Sequence, residues 1–200
     1  MSGVVGNRSI LQVMIMAKLF YIIGSSGAGK DSLINYLKDK LPHNSAVVFA
    51  HRYITRLAGA GNENHIELSK QEFLHRKQFN CFAMDWFSHD LFYGIGVEIN
   101  FWLNNDLNVV VNGSRGFLNQ AKQYYPSLVP ILIDVDDNTL RQRLISRGRE
   151  PADQIEKRLL QANKLKKTIQ HTNLIKITNN NLLSSAGEQL LRVILSQVKQ

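Results

Sequence analysis

The densest chemistry in the chain lies near its start. Gly24-Ser25-Ser26-Gly27-Ala28-Gly29-Lys30-Asp31-Ser32 fits the pattern G-x-x-x-x-G-K. It follows the apolar run Leu19–Ile23 and precedes a helical pattern, the strand–turn–helix setting that a phosphate-binding loop requires. Glycines let the backbone turn tightly, so that successive N–H groups converge on phosphate oxygens. The start of the helix adds partial positive charge. Lys30 is placed to reach the outer phosphates of a bound nucleotide. The usual hydroxyl after the lysine is replaced by Asp31. Either that carboxylate or the Ser32 hydroxyl can serve Mg²⁺ or its water shell, so the metal geometry stays open.

Arginines form the second signal. Arg52 and Arg56 lie just past the second strand-like run. Arg141, Arg143, Arg147 and Arg149 cluster after the fourth, and Arg158 follows on the next helical pattern. Guanidinium forks suit phosphate oxygens. Arg147-Gly148-Arg149 reads as part of a lid, whereas Arg141 reads as a solvated helix residue. The net charge of 24 − 16 = +8 suits anionic partners. These arginines sit at loop positions and are not interleaved with aromatics, which favours small phosphorylated molecules over nucleic acid.

These residues need a scaffold, and the apolar runs supply it. Leu19–Ile23, Ala46–Ala50, Leu107–Val111, Val129–Val135 and Leu174–Thr178 are short, rich in β-branched residues and largely not alternating. They read as strands buried on both faces of a parallel sheet. Helical patterns cover Ser32–Leu41, a capping-box start at Ser69-x-x-Glu72 running to Gln78, Gly96–Leu103, a stretch from Asp136 or Asp137 to Arg147, Pro151–Gln170 and Leu182–Val198. Strands alternating with helices imply an open α/β fold with right-handed crossovers. A chain of 200 residues suits one compact domain with a small lid or insert. Residues 1–18 read as a ragged extension rather than a secretion signal, with the domain over 19–200. No apolar run approaches the ~20 residues needed to span a bilayer. The single cysteine, Cys81, excludes an internal disulfide and points to a reducing, cytoplasmic setting. It has neither a redox partner nor a zinc-ligand cluster beside it, and no Ser/His/Asp triad is visible.

Taken together, the N-terminal loop, Arg52–Arg56 and Arg143–Arg149 resemble the guanylate-kinase-like branch of the nucleoside monophosphate kinases. The closer resemblance is to the ribose 1,5-bisphosphate phosphokinases of phosphonate degradation. It rests on GSSGAGKDS (24–32), HRYITR (51–56), ENHIEL (63–68), FAMDWFSHDLFYGI (82–95), VVVNGSRGFL (109–118) and RQRLISRGRE (141–150). The resemblance implies a three-layer P-loop fold on a five-stranded parallel sheet, with an acceptor-binding insert and an arginine lid. It implies ATP and Mg²⁺ as cofactors and a phosphorylated sugar as partner, with no nucleic acid and no membrane. The implied reaction converts ribose 1,5-bisphosphate and ATP to 5-phospho-α-D-ribose 1-diphosphate and ADP. Gly24 through Ser32 would hold ATP, with Asp31 toward the metal. Lys30, Arg147, Arg149 and Arg158 would act on the transferring phosphoryl group. Arg52, Arg56, Asn64, His65, Glu72, His89, Tyr93, Ser114 and Arg115 would receive the acceptor. Asp31 after the lysine is normal for these enzymes. Leu57 in place of a proline and Asp90 in place of a glycine are departures.

Guanylate kinases read their base with a Gly-x-Asp-Tyr-x-Phe stretch. Here the corresponding segment is Glu63-Asn64-His65-Ile66-Glu67, without the aromatic hydroxyl. Asn112-Gly113-Ser114-Arg115 replaces an acid-rich sequence and adds a cation. More cations and fewer base readers suit an acceptor with two phosphates and no base. A nucleoside monophosphate kinase is the near alternative, and a non-catalytic guanylate-kinase-like module the distant one. Individually, His65 and His89 read as structural or pocket-lining groups, and Trp86, Phe87 and Phe92 as core or pocket wall.

Overall fold

A computed structural model of the chain describes residues 17–59, 63–148, 151–168 and 173–198. In chain order the elements begin with β1 (Leu19–Gly24), α1 (Lys30–Lys40), β2 (Val47–Phe49), β3 (Arg52–Ile54) and β4 (Ile66–Glu67). Next come α2 (Lys70–Gln78), β5 (Phe82–Ser88), β6 (Leu91–Gly96), α3 (Glu98–Asn104), β7 (Asn108–Asn112) and α4 (Leu118–Tyr124). The chain continues through β8 (Val129–Asp134), α5 (Asp137–Ser146), α6 (Ala152–Thr168), β9 (Ile175–Thr178) and α7 (Leu183–Gln197).

The main sheet has the order β2-β7-β1-β8-β9, and every pairing in it is parallel. These are the five strands the apolar runs predict, with ends moved by a residue or two. Central position explains the composition of β1 and β7, where Leu19 through Ile23 and Val109 through Val111 are covered on both faces, whereas the edge strand β9, expected to be covered on both, alternates with Ile177 buried and Lys176 and Thr178 exposed. Alternation along β1 divides the core. Phe20 and Ile22 pack with Leu33, Leu37, Leu140, Leu190 and Ile194 from the helices of one layer. Leu19, Tyr21 and Ile23 pack with Ile99, Leu118 and Ala121, and with Met84 and Ile95 from outside the main sheet. Asp136 caps α5 by accepting from the Thr139 N–H at 2.7 Å. Ser69 caps α2 by accepting from the Glu72 N–H at 3.0 Å, but the Glu72 carboxylate turns to Arg76, so only half of the capping box forms. Lys18, the last residue of the expected extension, already joins the sheet through its backbone N–H to Asn108 Oδ1 at 2.9 Å. Residues 1–16 lie outside the described residues.

The second sheet is the principal difference from the sequence expectation. It runs β4-β3-β6-β5, with β3 and β6, and β5 and β6, antiparallel. Strands of two or three residues such as β3 and β4 are too short to show a period. The β5–β6 hairpin turns on His89-Asp90, which lacks the usual Asn-Gly or Asp-Gly signal. Both residues are nonetheless left-handed, with φ of 51° and 59°. Glycine takes that conformation freely and aspartate tolerates it, which accounts for Asp90 at a turn position where glycine is the usual residue. Gly96 ends β6 instead of starting a helix, and α3 begins two residues later. Helix α4 was not signalled by the sequence pattern.

Tyr21 joins the two halves of the site. Its hydroxyl accepts from the Ser114 N–H at 2.9 Å and donates to Ser114 O at 3.2 Å. Its ring lies flat against Gly113, where a Cβ would fall 2.3 Å from Tyr21 Cζ. Because that ring is buried among neighbours with no room to yield, Gly113→Ala is expected to lower stability by about 1–3 kcal/mol. Thermal unfolding should show a Tm several degrees below the parent, and an unchanged Tm would mean that the ring can shift.

Candidate active site

A cavity of about 830 Å³ opens where β1 and β7 end, between the loop after β1 and the β5–β6 hairpin. Crevices beyond the carboxyl ends of parallel strands are where open α/β folds bind ligands. The loop 24–30 forms its floor. The Ala28 N–H closes a turn onto Ser25 O at 3.1 Å, and the Leu33 N–H begins α1 by donating to Gly29 O. Gly29 is left-handed, with φ 88°, and a Cβ there would meet Asn179 Nδ2 at 2.5 Å. Asn179, just beyond β9 and only 2% exposed, donates to Ala28 O at 2.7 Å and braces the loop from behind. Arg143 stands at 3.5 Å from the same carbonyl.

Lys30 Nζ folds over the loop and donates to Gly24 O at 2.9 Å and Ser25 O at 3.2 Å. Burial lowers its pKa most. Asp31 and Glu63 oppose that, Arg52 and Arg115 add to it, and the pKa settles at about 8. Asp31 accepts from Asn112 Nδ2 at 2.7 Å, and the same amide nitrogen lies 3.5 Å from Glu63 Oε1. The other amide atom, Asn112 Oδ1, is buried without a partner.

Arginines make the far wall. Arg52 grips both Glu63 oxygens through Nε and a terminal nitrogen. It lies over the Tyr93 ring at 5.2 Å, and Tyr93 stacks on Trp86 at 5.6 Å with nearly parallel planes. Arg56 reaches Glu63 at 3.4 Å, while its Nε is buried and unpaired. His65, buried behind the wall, ties Arg56 O at 3.0 Å and lies 3.3 Å from the Arg56 guanidinium. Arg115 has no carboxylate partner among the described residues, and burial pushes its pKa down. Arg158, on α6, donates to Ser26 Oγ at 3.1 Å.

Most of the residues singled out from the sequence therefore face one space. Gly24 to Gly27, Gly29 to Ser32, Arg52, Arg56, His89, Tyr93, Ser114, Arg115, Arg147 and Arg158 all line it. Ala28 packs into the core beneath the loop. His65 is one layer behind. Asn64 lies in a side groove next to His51, outside the main cavity. Glu72 forms a surface pair with Arg76 at 2.7 Å, away from both spaces. Arg149 lies outside the described residues. Arg141 pairs with Glu156 on the surface, in keeping with a solvated role. The sequence reading missed Glu63, Asn112 and Asn179. Glu63 carried one usable signal, an acid eleven residues after Arg52 within an otherwise cationic set. Asn179 carried none.

No trio of His, Cys, Asp or Glu gathers to hold a metal among the described residues. Mg²⁺ beside phosphates needs only one or two protein carboxylates. The oxygens of Asp31 and Ser32 at the loop fit that demand, whereas both oxygens of Glu63 are already held by Arg52.

The lowered Lys30 pKa yields a sign. In the empty enzyme at pH 8.5 this amine is partly neutral. Bound phosphates favour its charged form, so binding must draw a proton from solution. Calorimetry of a non-hydrolysable ATP analogue, repeated in buffers of different ionisation enthalpy, should show proton uptake near pH 8.5 and little at pH 6.5. Zero uptake at both would contradict the depressed amine.

No family model matches the chain. It is 53% identical to ribose 1,5-bisphosphate phosphokinase PhnN of Psychromonas ingrahamii, over 96% of each chain. It is 49% identical to the protein of that name from Desulfomicrobium baculatum, over 90% of this chain and 95% of the other. With that of Thiobacillus denitrificans the figure is 46%, over 90% and 94%. Among solved structures, guanylate kinase from Anaplasma phagocytophilum superposes with a TM-score of 0.70 at 13% identity, covering 92% of this chain and 88% of that one. That likeness establishes the guanylate-kinase fold. With about half of its residues shared with such relatives over nearly its whole length, and a phosphate loop facing an arginine wall, the chain belongs to the ribose 1,5-bisphosphate phosphokinase family.

Proposed function

We propose that this kinase transfers the γ-phosphoryl group of ATP to the 1-phosphate of ribose 1,5-bisphosphate, releasing 5-phospho-α-D-ribose 1-diphosphate and ADP. The observation behind this reading is the cavity itself, where the phosphate loop faces Arg52, Arg56 and Arg115 across one space. An oxygen of the acceptor's 1-phosphate attacks the γ-phosphorus, and the bond from that phosphorus to the β,γ-bridging oxygen breaks. Backbone N–H groups of the loop and Lys30 hold the nucleotide phosphates. Arg158 and Arg147, joined by Arg149, meet the charge on the transferring group from the lid side. Mg²⁺, held through Asp31 with Ser32 beside it, neutralises charge on the phosphates when bound. Such transfers depend on positioning and electrostatics more than on covalent catalysis. A phosphate monoester loses its second proton near pH ~6, so the acceptor needs no strong base.

Within this mechanism Tyr93 and Trp86 form an apolar plate that holds Arg52 level. Ser114 and His89 face the sugar, and His65 works through Arg56. Asn64 and Glu72 take no part. The fold alone would equally suit a nucleoside monophosphate kinase. Against that stands the exposed amide of Asn64 where a base-reading tyrosine would be.

A coupled ADP-release assay separates the readings. A site built around a substrate's polar groups discriminates by as much as ~10⁴-fold. The expected result is a kcat/KM for ribose 1,5-bisphosphate at least about a hundredfold above that for GMP. Arg115→Ala should narrow this margin by harming the bisphosphate more. Equal efficiency with GMP would overturn the reading, and equal losses on both acceptors would make Arg115 a brace. The metal role is checked separately. Asp31→Asn should raise the Mg²⁺ concentration for half-maximal rate by about tenfold, since an amide is the poorer hard-cation ligand. A superimposable Mg²⁺ titration would remove Asp31 from that role.

A further inference from the structure

The acceptor arginines are not bare. Glu63 lines the cavity, and its side chain is only 10% exposed. Both its oxygens are taken by Arg52, one also lies 3.4 Å from Arg56, and the other 3.5 Å from Asn112 Nδ2. A carboxylate forked on a guanidinium has the same planar, two-oxygen geometry with which a phosphate would bind there. Arg52 therefore already holds an internal anion through the donors it would offer to substrate. Arg56 keeps a buried Nε without any partner, and Arg115 meets no carboxylate among the described residues. Glu63 accepts from protein donors on every side, which leaves it poorly disposed to read a sugar hydroxyl.

We propose that Glu63 occupies the acceptor-phosphate position on Arg52 in the empty enzyme, and that the acceptor must displace it, so that Glu63 selects bisphosphorylated over monophosphorylated acceptors. This rests on the reading above that Arg52 and Arg56 receive an acceptor phosphate. A single phosphate gains charge-assisted bonds on Arg52 and Arg56 while dissolving those of Glu63, so its net gain is small. A second phosphate adds bonds to a cation that Glu63 does not touch, such as Arg115, and tips the balance. The displaced carboxylate also remains close to the incoming anion, and that like-charge contact costs every acceptor binding energy that only further cation contacts recover. Glu63 is thus a specificity-determining residue. The opposite arrangement is a permanent brace, in which Glu63 stays on Arg52 and only Arg56 and Arg115 meet substrate.

The two arrangements differ in sign for Glu63→Gln, which keeps the shape and removes the charge. Inorganic phosphate is titrated calorimetrically into parent and variant, with the phosphate loop filled by a non-hydrolysable ATP analogue. Displacement predicts that phosphate binds the variant about tenfold more tightly or better. It also predicts that ribose 5-phosphate, as a competitive inhibitor, gains more than ribose 1,5-bisphosphate gains in KM. Equal or weaker phosphate binding by the variant would overturn the proposal and make Glu63 a brace. A second measurement uses the parent alone. The ¹⁵Nε resonance of Arg52 should move when phosphate is added, because its partner changes, and a resonance that stays in place would also overturn displacement. The readouts separate this inference from the substrate assignment. If phosphate affinity rises in the variant but neither sugar is turned over, the displacement holds and the assigned reaction fails. If the bisphosphate is turned over and the phosphate affinity does not rise, the reaction holds and the displacement fails.

Discussion

Positive charges crowded into one cavity repel each other, and the fold has to hold them there. Lys30, Arg52, Arg56, Arg115, Arg147 and Arg158 all border the same space. Each has its own way of being held. Lys30 donates to two carbonyls of its own loop and gives up part of its basicity. Arg52 takes the carboxylate of Glu63 and the face of Tyr93. Arg158 takes the Ser26 hydroxyl. Arg115 has no carboxylate beside it among the described residues, and burial lowers its pKa. The same crowding that is costly by itself makes the site receptive to polyanions, since a preorganised field needs no reorganisation when charge arrives.

The rest of the fold holds these groups still. A phosphate loop works only if its N–H groups keep their direction, and here the direction is fixed from below. Asn179 and Arg143 approach the Ala28 carbonyl from elements far along the chain, and Gly29 leaves no space between loop and brace. On the opposite side, Tyr21 carries the order of β1 into the Ser114 backbone and so into the position of Arg115. The core residues of β1 therefore connect both halves of the cavity: one end becomes the loop, and one side chain props the acceptor wall. The small mixed sheet supplies Arg52, Tyr93 and Trp86 as one packed plate, and its left-handed turn at His89-Asp90 returns the hairpin over the cavity.

Local patterns determined much of this in advance. Five parallel strands follow from five short apolar runs, because central strands covered on both faces must be apolar throughout and even the edge strand β9 keeps one apolar face, and no partner needs to be known to see it. The phosphate loop follows from its own residues, because its function lies in a backbone path that glycines permit and that involves few other parts of the chain. Arg52, Arg56, Arg147 and Arg158 stand out because cations gathered in the segments that follow the strands near such a motif suit phosphate oxygens. The second sheet did not stand out: its strands are too short for a period, and its turn uses residues that tolerate left-handed backbone without advertising it.

What only the tertiary structure decided is which charges neutralise which. Glu63, Asn64 and His65 are consecutive in the chain, yet one lines the cavity, one faces a side groove and one is buried behind the wall. A two-residue step in an irregular segment changes direction in ways that no periodic pattern records. Glu72 reads as the acid of a capping box and, through the resemblance, as an acceptor residue, but the i, i+4 neighbour Arg76 claims its carboxylate on the surface. Asn112 and Asn179 are ordinary amides in the sequence and become buried contacts to Asp31 and to the loop only when β7 and β9 are laid beside β1 and β8. Sequence determines residue type and local path. The pairing of a buried polar group depends on residues 81 or 151 positions away, and it is the closing of the sheet that brings them within hydrogen-bond distance.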